Sequence, residues 1–211
     1  MHIMSDTIKA VFIVLITVLP AYALGNVNGA IMTSKYLYKK DIREYGSGNP
    51  GLTNFYRVFG KSRALLVVLI DVAKTVAPVL LGGFLFNRYY EAQLLGRELA
   101  GLFVILGHCF PALYKFKGGK GIMAAGTILI VLDWRIALIS WGVFILISII
   151  TRYVSLGSVI GVALFPVFQI IFKIGGPVEN AIAIACAAII ILRHHANISR
   201  LFKGEESKFI Y

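Results

Sequence analysis

From Arg43 to Arg57 the chain reads Arg-Glu-Tyr-Gly-Ser-Gly-Asn-Pro-Gly-Leu-Thr-Asn-Phe-Tyr-Arg, a polar, glycine-rich stretch in a mostly apolar sequence. Gly46, Gly48 and Gly51 leave backbone N–H groups approachable, Ser47 and Thr53 add hydroxyls, Asn49 and Asn54 add amides, and Arg57 adds a fixed charge. Together such groups suit an anion, phosphate first of all. The run Gly46 to Gly51 also fits G-x-G-x-x-G, but that pattern is meaningful only between a buried strand and a helix. Here the charged run 39–45 precedes it, and Phe55 stands where a P-loop ahead of Gly60-Lys61-Ser62 needs its first glycine. Neither nucleotide motif holds.

Three further polar islands follow. His108 leads into Lys115-Phe116-Lys117-Gly118-Gly119-Lys120-Gly121, a cationic loop at a helix start whose dipole favours anions. Lysines snorkelling at a membrane surface would explain the charges but not the glycines. Arg152-Tyr153-Val154-Ser155-Leu156-Gly157-Ser158 supplies two hydroxyls and an arginine. Finally, in 193–206, His194 and Asn197 share a helix face at i and i+3, with Glu206 beyond.

These islands must be positioned by membrane helices. Of 211 residues 58% are hydrophobic and only 15% charged, too apolar for a soluble domain of this size. A crossing needs ~20 apolar residues, and apolar runs occur at 8–32, 64–86, 97–114, 119–133, 136–151, 157–174 and 178–193. The expected fold is therefore an all-α polytopic bundle of about seven transmembrane helices, one domain over 1–211. The fourth and fifth runs are short and separated only by Asp133-Trp134-Arg135, which leaves a non-crossing hairpin open there. Ala21-Tyr22-Ala23 resembles a signal cleavage site, but Lys9 is the one positive charge before the run and Asp6 offsets it, so 8–32 reads as a helix that stays.

Charge orients the bundle. Five basic residues (Lys9, Arg88, Arg97, Arg135 and Lys173) fall on one side and fifteen on the other, with Lys74 inside a span. By the positive-inside rule this puts the N-terminus out, the C-terminus in, and all four islands on the cytoplasmic face. The same placement explains the net charge of +11 without nucleic acid. Asp71 and Lys74, at i and i+3 within the second span, are expected to pair with each other or with a neighbouring helix. Cys109 and Cys186 have no ligand-like spacing, and no metal or cofactor is indicated.

Taken in order, the islands resemble the acyl-phosphate-dependent glycerol-3-phosphate acyltransferases, a bacterial membrane family. The likeness covers almost the whole chain: Gly46 to Asn54 with Arg57, Gly107-His108 through Gly121, Arg152 to Leu156, Arg193-His194 with Asn197-Ile198, Gly204 and Glu206, and the Asp71/Lys74 pattern. Leu52 stands where alanine is usual, and Met123-Ala124 replace an Ala-Thr pair, which removes one hydroxyl. The resemblance implies acyl transfer from acyl phosphate to the 1-hydroxyl of glycerol 3-phosphate at a bacterial inner membrane, with the bilayer as the other partner. It assigns no oligomeric state.

On that reading Ser47 and Arg57 with the glycine amides cradle a phosphate, while Lys115, Lys117 and Lys120 neutralise charge. His194, Asn197 and Ser155 orient the glycerol, and Gly48, Asn49, Gly51, Thr53, Asn54, His108, Gly118, Gly119 and Glu206 complete the binding set. The proton acceptor is open among His108, His194 and a substrate oxygen. A transporter would place its polar groups near the bilayer midplane, and a metal-dependent phosphotransferase would need more aspartates than Asp41, Asp71 and Asp133 offer.

Overall fold

A computed structural model describes residues 2–209, and among them every regular element is helical. The expected first span divides in two. Helix α1 (His2–Gly25) stops at Gly25-Asn26, and α2 (Gly29–Tyr38) restarts under an Asn28 cap whose side chain accepts from Ile31 N at 2.9 Å. A polar Asn-Val-Asn triplet supplies turn and cap chemistry that mean hydropathy averages away. The first island follows as a short 3-10 turn (Ile42–Glu44), a glycine loop, and α3 (Leu52–Phe59).

The remaining runs become α4 (Ala64–Tyr90), α5 (Gln93–Cys109, continued by a 3-10 turn at Ala112–Tyr114), α6 (Ile122–Leu132), α7 (Trp134–Thr151), α8 (Val154–Ile171), α9 (Pro177–Arg193) and α10 (His195–Lys203). Five candidate spans, contributed by α1, α4, α5, α7 and α8, have the length and hydropathy to cross a membrane; α9 with α10, bent by 55°, makes a sixth. Helix α6 has 11 residues and extends only ~16 Å, about half the hydrocarbon thickness. By length and composition alone five or six crossings are supported, α6 being too short to count by that measure.

Apolar side chains gain little by leaving lipid for one another, so helices in a bilayer associate through close backbone packing. The α4–α5 hairpin shows this: a Cβ on Gly96 would lie 2.2 Å from Gly82 O. At the α1–α5 crossing a Cβ on Gly107 would lie 2.3 Å from Tyr22 O. Asp133 caps α7, accepting from Arg135 N at 2.9 Å and Ile136 N at 3.3 Å, and Glu179 caps α9 through Gly176 N at 2.9 Å. With the helices alternating in direction, the N-termini of α4, α6 and α8 and the C-termini of α5, α7 and α9 meet at one end of the bundle.

Candidate active site

At that end lies a cavity of about 670 Å³, lined by residues from all four islands. Ser47, Asn49, Gly51, Thr53, Asn54 and Arg57 come from the first island. His108 and Lys120 come from the second, Ser155 from the third, and His194, Asn197 and Glu206 from the last. Lys115, Lys117, Gly48, Gly118 and Gly119 are not among the lining residues.

The glycine loop is shaped from α3. Asn54, almost fully buried, donates to Tyr45 O at 3.0 Å and accepts from Ser47 N at 2.9 Å. Gly46 and Gly48 take left-handed backbone angles (φ 59° and 71°), and a Cβ on Gly46 would strike Asn54 Oδ1 at 2.3 Å. Asn54 therefore holds the loop with the amide that the sequence assigned to substrate. Phe55 and Phe59 pack with Tyr38, leaving the polar face of α3 to the cavity. Asp41 anchors the loop's approach: hydrogen bonds from Arg43, against the cost of burial, and a further contact from Lys35 hold its carboxyl well below the usual range.

The second island divides between two jobs. Consecutive left-handed residues at Lys115 and Phe116 fold the chain back so that Gly119 N bonds His108 O at 3.1 Å, leaving Lys115 and Lys117 exposed outside the cavity. A Cβ on Gly118 would lie 2.1 Å from His108 O, so those glycines permit a close turn instead of lining the site. Arg193 clamps the turn, donating to Gly118 O at 2.9 Å and Gly119 O at 3.2 Å. Only Lys120 of the three lysines reaches the cavity, where its ammonium donates to Asn197 Oδ1. Burial lowers its pKa to about 8, with Glu206 opposing and Arg200, Arg193 and Arg57 assisting.

Asn197 in turn donates to Glu206 Oε1 at 2.6 Å, which also accepts from Ser155 at 2.7 Å, while Arg200 Nε binds Oε2 at 2.8 Å. Burial raises the Glu206 pKa, but the hydrogen bonds from Ser155, Asn197 and Arg200 outweigh it and hold the carboxyl below its usual value. The segment carrying Glu206 crosses the mouth of the site: Phe209 N bonds Arg152 O at 2.8 Å and Arg57 reaches Ser207 O at 3.3 Å. Arg193, Arg200 and the wall residues Trp141 and Phe144 were absent from the sequence-derived set. Arg193 could have been found, since it sits in the matching closing motif; the aromatics carried no signal, being apolar residues in an apolar helix.

Hydrogen-bond partners assign the two histidine tautomers. His194 Nδ1 lies 2.8 Å from Ile190 O, and a carbonyl only accepts, so Nδ1 carries the proton and Nε2 keeps a lone pair. His108 Nδ1 lies 2.8 Å from the Lys74 ammonium, which only donates, so its proton sits on Nε2. Of the two candidate bases, His194 alone presents a free acceptor nitrogen. The expected Asp71–Lys74 ion pair forms, at 2.8 Å.

Three helix N-termini also open on the cavity. Gly51 and Leu52 begin α3, Gly121 and Ile122 begin α6, and Val154 begins α8; none has a side-chain cap, so their first N–H groups and positive dipole ends are available to a ligand. A second, apolar groove continues from the cavity between α6, α7 and α8, sharing Ile122, Trp141, Phe144 and Ser158 with it.

Fold and site together define a helical integral membrane protein with a cation-lined pocket that runs into an apolar groove. A family profile described as glycerol-3-phosphate acyltransferase matches residues 14–204. The chain is 37% identical over 193 residues to the glycerol-3-phosphate acyltransferase of Thermoanaerobacter pseudethanolicus, covering 92% of this chain and 94% of that one. It is 38% identical over 198 residues to that of Clostridioides difficile, covering 94% and 96%. Among solved structures it is similar to PlsY (YgiH), an integral membrane glycerol 3-phosphate acyltransferase. The glycerol 3-phosphate form gives a TM-score of 0.81 at 34% identity, with 96% of both chains covered. The lysophosphatidic acid form gives 0.80 at the same identity, covering 93% of this chain and 95% of that one. The chain belongs to the glycerol-3-phosphate acyltransferase family.

Proposed function

We propose that this protein transfers a fatty acyl group from acyl phosphate to the 1-hydroxyl of glycerol 3-phosphate, releasing lysophosphatidic acid and inorganic phosphate. The observation that carries the reading is the convergence of Arg57, Lys120, Arg193 and Arg200 with three uncapped helix N-termini on one cavity. Two phosphates side by side repel each other, and such a surplus of cations and N–H donors offsets that repulsion. The apolar groove between α6, α7 and α8 receives the donor's chain from the bilayer.

The glycerol hydroxyl oxygen attacks the acyl carbonyl carbon, the carbonyl C–O bond of the mixed anhydride breaks, and phosphate departs with the bonding pair. His194 Nε2 takes the hydroxyl proton and returns it to the phosphate. Because the anhydride is already activated, alignment of the two substrates supplies much of the acceleration and no covalent enzyme intermediate is needed. Ser47, Arg57 and the uncapped N–H groups at the start of α3 form the phosphate cradle, because the N–H groups of Ser47, Gly48 and Gly51 are engaged within the loop; Lys120, held by Asn197, bridges the two anions. Ser155 and Asn197, tied to Glu206, border the glycerol.

The bundle is read as seven passes with the cavity facing the cytoplasm. The basic bias favours that face, and Trp141, ten residues or ~15 Å along α7 from Thr151, lines the cavity, so the site is sunk into the bilayer. A sunken site leaves α6 less distance to cross, which suits its shortness.

Purified protein in lipid is expected to release phosphate from acyl phosphate only when glycerol 3-phosphate is present. No release, or equal use of acyl-CoA, would overturn the donor assignment. Ser47→Ala and Arg57→Ala are expected to lower turnover far more than thermal stability; variants that unfold while their folded fraction stays fully active would make the cradle structural.

A further inference from the structure

Lys74 sits inside the bundle on α4, and its side chain is nearly inaccessible. Its ammonium has three N–H donors and three acceptors around it: Val27 O at 2.5 Å, Asp71 Oδ1 at 2.8 Å and His108 Nδ1 at 2.8 Å. Asp71 Oδ1 also receives Gly29 N at 3.2 Å, so the pair is tied to the start of α2. A buried ion pair contributes little net stability, since desolvation offsets its attraction. Val27 O and Asp71 Oδ1 account for two of the three N–H groups and join the helices. The third donor, aimed at a ring that lines the cavity, has a different consequence.

We propose that Lys74 is a positioning residue that fixes His108 as an Nε2–H donor toward a phosphate oxygen of bound substrate, an assignment that rests on the acyltransferase reading above. With Nδ1 occupied by an ammonium, the ring can neither shift its proton to Nδ1 nor accept a second one there. Its Nε2 makes no hydrogen bond among the described residues, and it lies against Gly119, where an added Cβ would meet it at 2.3 Å. The cavity thus holds two histidines of opposite polarity: His108 donates, and His194 accepts.

The test is ring ¹⁵N NMR of histidine-labelled protein in lipid, with the His108 signals identified by their loss in His108→Gln. One fixed tautomer, protonated at Nε2 and bare at Nδ1, is expected. A proton on Nδ1, or a tautomer mixture, would overturn the proposal. In Asp71→Asn/Lys74→Met, which removes both charges together, the ring should become a mixture of tautomers. A double variant that folds and keeps the single Nε2–H form would also overturn it. Kinetically, Gln places an amide N–H near Nε2 and Asn does not. His108→Asn should therefore lose about 10- to 100-fold more kcat/KM than His108→Gln, the scale of a hydrogen bond to a charged group; equal losses would count against the donor role. The tautomer is read without turnover, so the expected NMR pattern in a protein that fails to transfer acyl groups would refute the acyltransferase reading and leave the lock intact.

Discussion

Lys120 should make catalysis fail on the alkaline side. Its ammonium is largely buried, and burial brings its pKa down to about 8. A lysine is charged below its pKa, so the phosphate-binding form dominates at neutral pH and is lost as pH rises through 8. With a pKa of about 8, roughly nine-tenths of Lys120 is protonated at pH 7 and one-tenth at pH 9, each pH unit corresponding to ~1.4 kcal/mol. The rate measured with both substrates well below saturation reports the free enzyme, and it should fall about tenfold between pH 7 and 9. The second ionisation of a phosphate monoester, near 6, is already about nine-tenths complete at pH 7 and changes the dianion fraction by only about a tenth up to pH 9. The assay is initial-rate phosphate release, corrected at each pH for donor hydrolysis without acceptor. Lys120→Arg supplies the control: a guanidinium keeps its charge throughout, so whatever activity remains should be flat from pH 7 to 9. A flat wild-type profile, or an identical decline in Lys120→Arg, would refute the assignment of the charge to Lys120.

Other changes separate the site from its supports. Lys115→Ala and Lys117→Ala, exposed and outside the cavity, should leave kcat/KM within about twofold and stability within ~0.5 kcal/mol, whereas Lys120→Ala should be severely impaired; steady-state kinetics of the three variants decides this. Asn54→Ala removes both loop-holding hydrogen bonds and leaves buried backbone groups unpaired, so a loss of roughly 1–3 kcal/mol, seen as a lower Tm, should accompany its loss of activity. Gly126→Ala places a methyl group 2.4 Å from Trp141 Cζ2 and must displace the indole at the junction of groove and cavity. KM for long-chain acyl phosphates should then change relative to short-chain ones, a shift that donor-length competition would reveal.

What the sequence determined was the chemistry of the ingredients. Membrane helices follow from length and hydropathy, because a bilayer forces the backbone to satisfy its hydrogen bonds internally. Most helix boundaries fell within a few residues for that reason, and the exception, the break at Asn26 to Asn28, lay where capping overrides average hydropathy. Anion-binding residue types were legible too, since glycine, lysine and arginine stand out against an apolar background. The division of labour among them was decided only by tertiary structure. Asn54 and Lys120 are both polar residues in matching motifs, yet the first is turned inward to hold a loop and the second toward the cavity. Gly118 and Gly119 serve the close approach of one backbone to another. Likewise, two histidines that sequence leaves equivalent as bases acquire opposite tautomers, because one ring nitrogen meets a carbonyl and the other an ammonium. Those partners come from different turns and helices, and which groups meet is settled by packing, a property no local stretch of residues carries.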